Sequence, residues 1–170
     1  MSIEDPAQRG MEKHMQTRDG RVQLLTFKLD EQDYALDMAS VVQVLRMVAL
    51  TRPPQGPDYI EGVFNLHGKV IPAIDTRKRC GLAHKAHDLS TQLLVARAND
   101  CTVALTVDQV SEVLTVPESD IQAIVNSSGM KFLQGVAKVG ERLILILDPV
   151  PISADGMETA ANGDGHRFVS

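Results

Sequence analysis

The sequence contains the same pattern twice. The stretch YIEGVFNLHGKVIPAID (59–75) reappears without a gap as FLQGVAKVGERLILILD (132–148). Gly62 and Asp75 therefore have counterparts of the same type, Gly135 and Asp148, each 73 residues further on by subtraction of their numbers. A pattern that recurs at a fixed spacing indicates that one structural unit has been built twice.

A second pair of segments extends the repeat toward the N-terminus. QLLTFKLDEQDYALDMASVVQVL (23–45) matches QLLVARANDCTVALTVDQVSEVL (92–114) at an offset of 69 residues. The second copy therefore carries four extra residues, which we place in the polar stretch PESDIQAIVNSSGM (117–130). The chain consists of two copies of about 70 residues, near the lower limit for an independent hydrophobic core.

Each copy predicts about five short strands. In the first copy, alternating apolar residues and polar turns indicate two hairpins, and the second turns at His67-Gly68, where glycine can adopt a positive φ. Between the hairpins, MASVVQVLR (38–46) predicts a short helix and MVALT (47–51) a strand. Pro72 cannot donate to a sheet ladder, so its strand is expected to lie at an edge or to be bulged.

These strands predict an all-β fold with short helices, in which each small sheet closes into a five-stranded barrel and hides its edges. Two barrels side by side leave a groove between them. We expect a flexible segment at residues 1–20, a folded region at 21–152 and a flexible tail at 153–170. The halves of the folded region fall near 21–90 and 91–152, and strands can be exchanged between them.

Composition narrows the class of function. The chain has 170 residues, 44% of them hydrophobic, and a net charge of −5, which argues against a nucleic-acid binder. No apolar run is long enough to span a bilayer, and the N-terminus lacks the pattern of a signal peptide, so a cytoplasmic location is expected. Cys80 and Cys101 are too few for a disulfide scaffold and are expected to be free thiols.

No catalytic, metal or cofactor motif is recognisable. His84 and His87 stand three residues apart, but no third metal ligand accompanies them. Asp75 and Asp148 end equivalent strands and are expected to cap turns. The run RKR (77–79) is open to two interpretations, a contact for an anion or acidic partner, or solvated charges that cap a helical turn. We therefore predict a protein that binds without turnover, with no catalytic residue, no metal and no cofactor.

The repeated hairpin also carries a family resemblance. The stretch YIEGVFNLHGKVIPAIDTRKRCGL (59–82) resembles the signature of CheW-like proteins, the adaptors of bacterial chemosensory arrays. VALTVDQVSEVL (103–114) and the hairpin at 22–46 resemble two further family stretches, so the likeness covers about residues 21 to 150. The signature positions are matched by Ile60, Gly62, Asn65, Leu66, Gly68, Ile71, Pro72, Asp75, Arg77, Arg79 and Gly81.

The resemblance implies a fold of two five-stranded barrels and a non-enzymatic function. Such proteins couple the cytoplasmic tip of a methyl-accepting chemoreceptor, which binds the groove, to the regulatory domain of a CheA-type histidine kinase, whose CheW-like domain docks on a barrel end. Other CheW-like proteins are further implied partners, and the location is cytoplasmic, at membrane-bound receptor arrays. The binding residues carried over by position are Val41, Gln43, Gly62, His67, Val110 and Val113.

The chain departs from the family pattern at three places. His67 stands where the family usually has Arg, and Gln43 where it commonly has Glu, which indicates a non-standard pathway. If these two side chains meet, a neutral pair replaces an ion pair. Pro149 and Pro151 are expected to interrupt the helix with which the family often continues.

Three alternatives remain. The chain could be an array scaffold or oligomerisation module without direct coupling to the kinase. It could be a sugar or oligonucleotide binder, which would use Phe27, Tyr34, Phe64 or Phe132 for stacking. It could be a hydrolase that uses His67 with Asp75 or Asp108, although no nucleophile or metal accompanies them.

Overall fold

The computed structural model describes Met15, residues 17–124 and residues 131–153. Short helical turns occur at Met38–Ser40, Thr76–Arg79, Glu118–Asp120 and residues 149–153. The strands are β1 Thr17–Arg18, β2 Arg21–Leu29, β3 Gln32–Asp37, β4 Val41–Arg46, β5 Ile60–Leu66, β6 Lys69–Asp75, β7 Gln92–Ala98, β8 Cys101–Val107, β9 Gln109–Pro117, β10 Ile121–Ala123, β11 Leu133–Val139 and β12 Arg142–Leu147.

The strands form two sheets, and each sheet takes strands from both copies of the repeat. In the first sheet the order is β1-β2-β3-β12-β11-β10, and β9 pairs with β2 on its other side. In the second sheet the order is β4-β7-β8-β6-β5. The first hairpin of each copy thus joins the sheet built from the rest of the other copy.

Both sheets close on themselves. In the first, β9 pairs with β2 and β10 pairs with β11, and only the turn Glu118–Asp120 separates β9 from β10. In the second, Thr51 follows β4 and exchanges two backbone hydrogen bonds with Val63 of β5, at 2.9 and 2.8 Å. We call the first closed sheet barrel A and the second barrel B.

The two copies meet inside each barrel through a parallel pair of strands. In barrel A, β3 pairs with β12, and Ala35 stands opposite Ile146. In barrel B, β6 pairs with β8, and Ala73 stands opposite Ala104. These two pairs correspond to each other under the repeat offsets, so the barrels are related by an approximate two-fold arrangement.

The repeated glycines permit barrel closure. A Cβ on Gly62 would lie 2.7 Å from Leu50 Cβ and 3.0 Å from the Thr51 carbonyl oxygen. A Cβ on Gly135 would lie 3.0 Å from the carbonyl oxygen of Gln122. In both barrels, the strand that closes the sheet approaches the backbone at the repeated glycine, where no side chain fits.

Three apolar cores hold the molecule together. The interior of barrel A includes Val22, Leu24 and Ile144, and the interior of barrel B contains residues such as Phe64 and Leu93. The third core lies between the barrels, where the hairpins β2–β3 and β7–β8 pack together. Its fully buried members include Phe27, Leu29, Leu36, Leu94, Ala96, Leu105 and Ile152. Because this shared core has the most buried residues, the barrels form one folded unit.

The structure differs from the sequence-based expectations at three places. Only Met38–Ser40 is helical, and residues 41–46 form β4, because a valine-rich run favours a strand with alternating burial over a helix. In the segment 47–51, the single pairing is the bridge from Thr51 to Val63. Of the two alternatives for Pro72, the edge strand is wrong, since β6 runs between β5 and β8. The β5–β6 pairing, however, does have an irregularity between Ile60 and Gly62, opposite Ile74 and Ala73. Pro72 is tolerated because pairing with β8 begins one residue later, at Ala73.

The predicted caps are confirmed. The Asp75 side chain accepts a hydrogen bond from the Lys78 amide, and the Asp148 side chain accepts one from the Val150 amide, both at 3.0 Å. The expectation that proline interrupts a C-terminal helix was wrong for residues 149–153, which are helical. Proline is compatible with a first helical turn, where amide groups have no partner within the helix.

The flexible ends expected from the sequence lie mostly outside the described residues, which begin with Met15 and end with Ser153. Two residues of the expected N-terminal segment, Thr17 and Arg18, form β1 and pair with the start of β2.

Candidate functional site

The family resemblance places the binding residues at the seam between the barrels, where β4 of barrel B and β9 of barrel A begin against the shared core. Val41 begins β4, and its repeat counterpart Val110 lies at the start of β9. Both are half-buried and pack against the core between the barrels. The Val110 amide donates to Oε1 of Gln92 on β7 at 2.8 Å, which ties β9 to the neighbouring barrel.

The rim of the seam is apolar. On β4, the outward positions Val42 and Val44 are 44% and 36% exposed. On β9, Val113 is 49% exposed, and it is the repeat counterpart of Val44. The seam therefore offers matched valines from both barrels, a surface suited to an apolar partner.

A cleft of about 770 Å³ opens on barrel A, beside β2 and the Met38–Ser40 turn that precedes β4. Gln23 at the start of β2, Met38 and Ala39 in the following turn, and Thr115 near the end of β9 line it. Arg18 and Arg21 stand on its side toward β1.

Gln43 and His67 lie in different elements of barrel B. Gln43 is half-buried on β4. His67 is exposed in the turn between β5 and β6, with a φ of 53°, and Gly68 follows with a φ of 85°. Two positive φ values in a row are typical of a type I′ hairpin turn. Within residues 17–124 and 131–153, no hydrogen bond joins the Gln43 and His67 side chains.

The second copy carries an ion pair at the positions related to Gln43 by the repeat. Glu112 is the counterpart of Gln43, and its Oε2 lies 3.3 Å from Arg142 Nη1. The counterpart of Arg142 in the first copy is Lys69. The two barrels therefore differ in charge at equivalent places.

Gly62 has a different role from the other carried-over residues. It is buried beneath Leu50 and Thr51, so no side chain or open surface is available there for a partner. Barrel closure accounts for a glycine at this position, and partner contact at Gly62 stays a prediction. Val41, Gln43, His67, Val110 and Val113 remain predictions as contact residues.

The two arginines of the RKR run are not simply solvated charges, because Arg77 is buried and Arg79 is half-buried. Arg77 pairs with Asp108 at 2.8 Å and Asp30 at 2.9 Å. Burial lowers the pKa of Arg77, but the two carboxylates outweigh it and raise that pKa above the ordinary value. Only Lys78 of the run is exposed. The run is therefore largely structural.

The residues of the hydrolase alternative are separated. His67 lies at one end of β6 and Asp75 at the other, and a strand of this length spans roughly 20 Å. Asp75 caps the Thr76–Arg79 helix, and Asp108 is paired with Arg77. They do not form a catalytic arrangement in the described part of the chain.

The aromatic residues named for stacking serve other roles. Phe27, Tyr34 and Phe64 are buried in the cores, and Phe132 packs at the core between the barrels. His87 contacts Glu61 Oε2 at 3.1 Å. Among the described residues, no group of three or more His, Cys, Asp or Glu side chains is arranged to hold a metal.

Cys80 and Cys101 are free thiols, as expected. Burial raises the pKa of the Cys80 thiol to about 11. A thiol with that pKa is almost entirely protonated at neutral pH, which makes Cys80 a poor nucleophile.

The sequence matches a known protein family. The family model described as the CheW-like domain matches residues 23–156. The chain belongs to the CheW-like family. It is 30% identical to Chemotaxis protein CheW of Helicobacter pylori over 128 residues, 74% of this chain and 78% of that protein. It is 31% identical to the protein of the same name in Rhizobium meliloti, over 80% of this chain and 88% of that one.

A solved CheW structure agrees with the architecture. The scaffolding protein TtCheW from Thermoanaerobacter tengcongensis superimposes with a TM-score of 0.73 at 30% identity, over 77% of this chain and 91% of that chain. The prediction of an all-β, CheW-like fold with two sheets is confirmed. The predicted five strands per sheet hold for the second sheet, whereas the first has seven. In the described ranges, no helix has the length and apolar character required to cross a membrane.

Proposed function

We propose that this chain is a non-enzymatic adaptor of a chemosensory pathway, which couples the cytoplasmic tip of a chemoreceptor to the regulatory domain of a CheA-type histidine kinase. Membership of the CheW-like family carries this proposal, since its relatives are named chemotaxis proteins. The protein works in the cytoplasm at membrane-bound receptor arrays.

The seam between the barrels receives the receptor. A chemoreceptor tip is a helical hairpin, and a helix binds an apolar groove through residues spaced along one face. The exposed valines on β4 and β9 supply apolar surface on both sides of the seam, while Val41 and Val110 form its floor against the shared core. A barrel end remains available for the kinase domain.

Coupling requires that both partners be held in a fixed geometry. The large core between the barrels supports this requirement because it makes the two barrels one unit. A change in the bound receptor then biases the conformational equilibrium of the kinase through differences in binding free energy. Individual contacts can be weak, because an array engages many of them at once.

The first test is calorimetric titration of the chain with a receptor signalling fragment and, separately, with the kinase regulatory domain from the same organism. Val113→Asp places a charge in the seam. We expect it to weaken receptor binding by about tenfold or more, because an unpaired charge is costly to bury. Leu89→Asp is the control, since Leu89 is fully exposed in a turn of the connector between the Thr76–Arg79 helix and β7.

Two results would contradict the proposal. If the wild-type chain binds neither partner, the adaptor function is wrong. If it binds the receptor fragment but ignores the kinase domain, the scaffold alternative replaces direct coupling. If Val113→Asp and Leu89→Asp change the receptor affinity equally, the receptor does not bind at the seam.

A further inference from the structure

Arg79 occupies an unusual position between the barrels. The carbon of its guanidinium lies 3.9 Å from the ring centre of Tyr59 and 4.4 Å from the ring centre of Phe132. Both distances are well inside the range of an attractive cation–π contact. One planar cation therefore contacts two aromatic rings.

The two rings are repeat counterparts that belong to different barrels. Tyr59 leads into β5 of barrel B, and Phe132 leads into β11 of barrel A. The Tyr59 carbonyl accepts a hydrogen bond from the Asp75 amide at 2.7 Å, and the Phe132 carbonyl accepts one from the Asp148 amide at 2.8 Å. Each ring is thus anchored to its own barrel in the same way, and Arg79 connects the two anchors.

Arg79 also contacts the C-terminal helical segment. Its Nε donates to the Ile152 carbonyl and its Nη2 to the Pro151 carbonyl, both at 3.0 Å. Ile152 is fully buried in the core between the barrels. It is also the repeat counterpart of Arg79, so this contact joins two equivalent positions across the approximate two-fold arrangement.

The chemistry of this position favours arginine. Contact with aromatic rings uses the faces of the guanidinium, and two hydrogen bonds to neighbouring carbonyls use donors in its plane. A lysine would retain the charge but would present one ammonium group in place of a planar fork. An aliphatic side chain would lose both sets of contacts.

The same core reaches the seam. Tyr59 and Ile152 belong to the core between the barrels, and Val41 and Val110 pack against that core. We propose that Arg79 is a positioning residue, which fixes the mutual orientation of the two barrels and so holds the seam in the geometry that a partner requires. The part concerning the partner rests on the proposed function, whereas the part concerning orientation does not.

The orientation is tested by the distance between the barrels. Spin labels are attached to cysteines introduced at Val70 of barrel B and Leu143 of barrel A, both exposed and repeat counterparts, with Cys80→Ala and Cys101→Ser as background. We expect Arg79→Met to broaden or shift the measured distance distribution. Lys78→Met, the adjacent control, should leave it unchanged, because Lys78 is exposed and its Nζ reaches only Asp58, at 3.4 Å from the carbonyl oxygen and 3.9 Å from Oδ2.

Partner binding gives the second readout. The receptor fragment contacts both barrels at the seam, whereas the kinase domain docks on one barrel end. Arg79→Met should therefore weaken receptor binding by about tenfold and change kinase binding by less than about twofold, and Arg79→Lys should recover part of the loss. A general loss of folding would reduce both affinities together.

The outcomes are separable. An unchanged distance distribution in Arg79→Met would overturn the inference, whatever the partners do. If the distribution changes but neither partner binds the wild-type chain, the positioning role stands and the adaptor proposal fails. Should Arg79→Met not fold, Phe132→Leu removes one ring and keeps the arginine. A distribution identical to that of Lys78→Met would then overturn the inference.

Discussion

A residue that matches a binding position of the family can be required for backbone packing. Gly62 matches a family signature, and the sequence alone associated it with partner contact. The structure gives it and Gly135 a common physical reason, since a closing strand passes at a distance that leaves no room for a Cβ. The repeat predicted that the two glycines share a role, but it did not show which segment packs against each of them.

The glycines differ in how tightly they are packed, and this gives a graded prediction. Gly62→Ala should lower the free energy of unfolding by about 1–3 kcal/mol, because its Cβ would meet Leu50 Cβ at 2.7 Å. Gly135→Ala should be less destabilising, since its nearest neighbour, the Gln122 carbonyl oxygen, lies at 3.0 Å. Chemical denaturation of both variants measures the order, with exposed Lys138→Ala on β11 as the control. A larger loss for Gly135→Ala would contradict this account of closure.

At the scale of elements, a group of charges holds three strands of barrel A where the two copies join. Asp33 on β3 pairs with Lys28 of β2 at 3.0 Å and with Arg142 of β12 at 3.2 Å. Burial raises the pKa of Asp33, but the hydrogen bonds and charges of Lys28 and Arg142 outweigh burial and lower it below the ordinary value of 3.8. The ionised carboxylate is therefore stabilised by folding.

The sign of this shift fixes the pH dependence. Because the pKa of Asp33 is lower in the folded chain, its contribution is complete above the unfolded-state pKa of about 4 and is lost as the pH falls through the folded-state value. Asp33→Asn should lower the free energy of unfolding by about 1 kcal/mol at pH 7, a modest loss because Lys28 and Arg142 are partly exposed. The difference from wild type should shrink below pH 4.

Denaturant titrations at pH 7 and at pH 3 measure this difference. Asp58→Asn is the matched control, since the Asp58 side chain is largely exposed and its Oδ2 lies 3.9 Å from Lys78 Nζ. A loss of stability for Asp33→Asn that is the same at both pH values would show that packing, and not the charge, is responsible.

Elements with a strong local pattern were predictable, and those decided by long-range pairing were not. The hairpins, the turn at His67-Gly68 and the caps Asp75 and Asp148 follow from alternation and turn chemistry, which act over a few residues. The segment 41–46 was mistaken for a helix because its partner, β7, lies about fifty residues further along the chain. The ion pair between Glu112 and Arg142 could not be predicted either, since only the folded barrel brings the two residues together.

For the whole molecule, the exchange of hairpins between the copies is the feature that matters most. The repeat predicted two like units and allowed strands to be exchanged, but it did not state which strands pair. The parallel pairs β3–β12 and β6–β8 decide this, and both join segments that belong to different copies. Neither barrel can form from one copy alone.

This topology predicts how the chain behaves when it is divided. Fragments 15–90 and 91–153, expressed separately, should each lack a cooperative thermal transition, because each would leave its first hairpin without a sheet. Mixed in equal amounts, they should assemble into a complex that shows such a transition. Circular dichroism and size-exclusion chromatography measure both properties. A stable, monomeric fold of either fragment alone would contradict the exchange.

Two identical chains of half this length could form the same pair of barrels as a homodimer, if each placed its first hairpin in the sheet of the other. Such a dimer would dissociate on dilution, whereas the tandem chain keeps its parts together at any concentration. Tandem fusion also frees residues near the former symmetry axis to diverge. The chain carries a cation at position 79 and isoleucine at the related position 152, an asymmetry that no pair of identical subunits could encode.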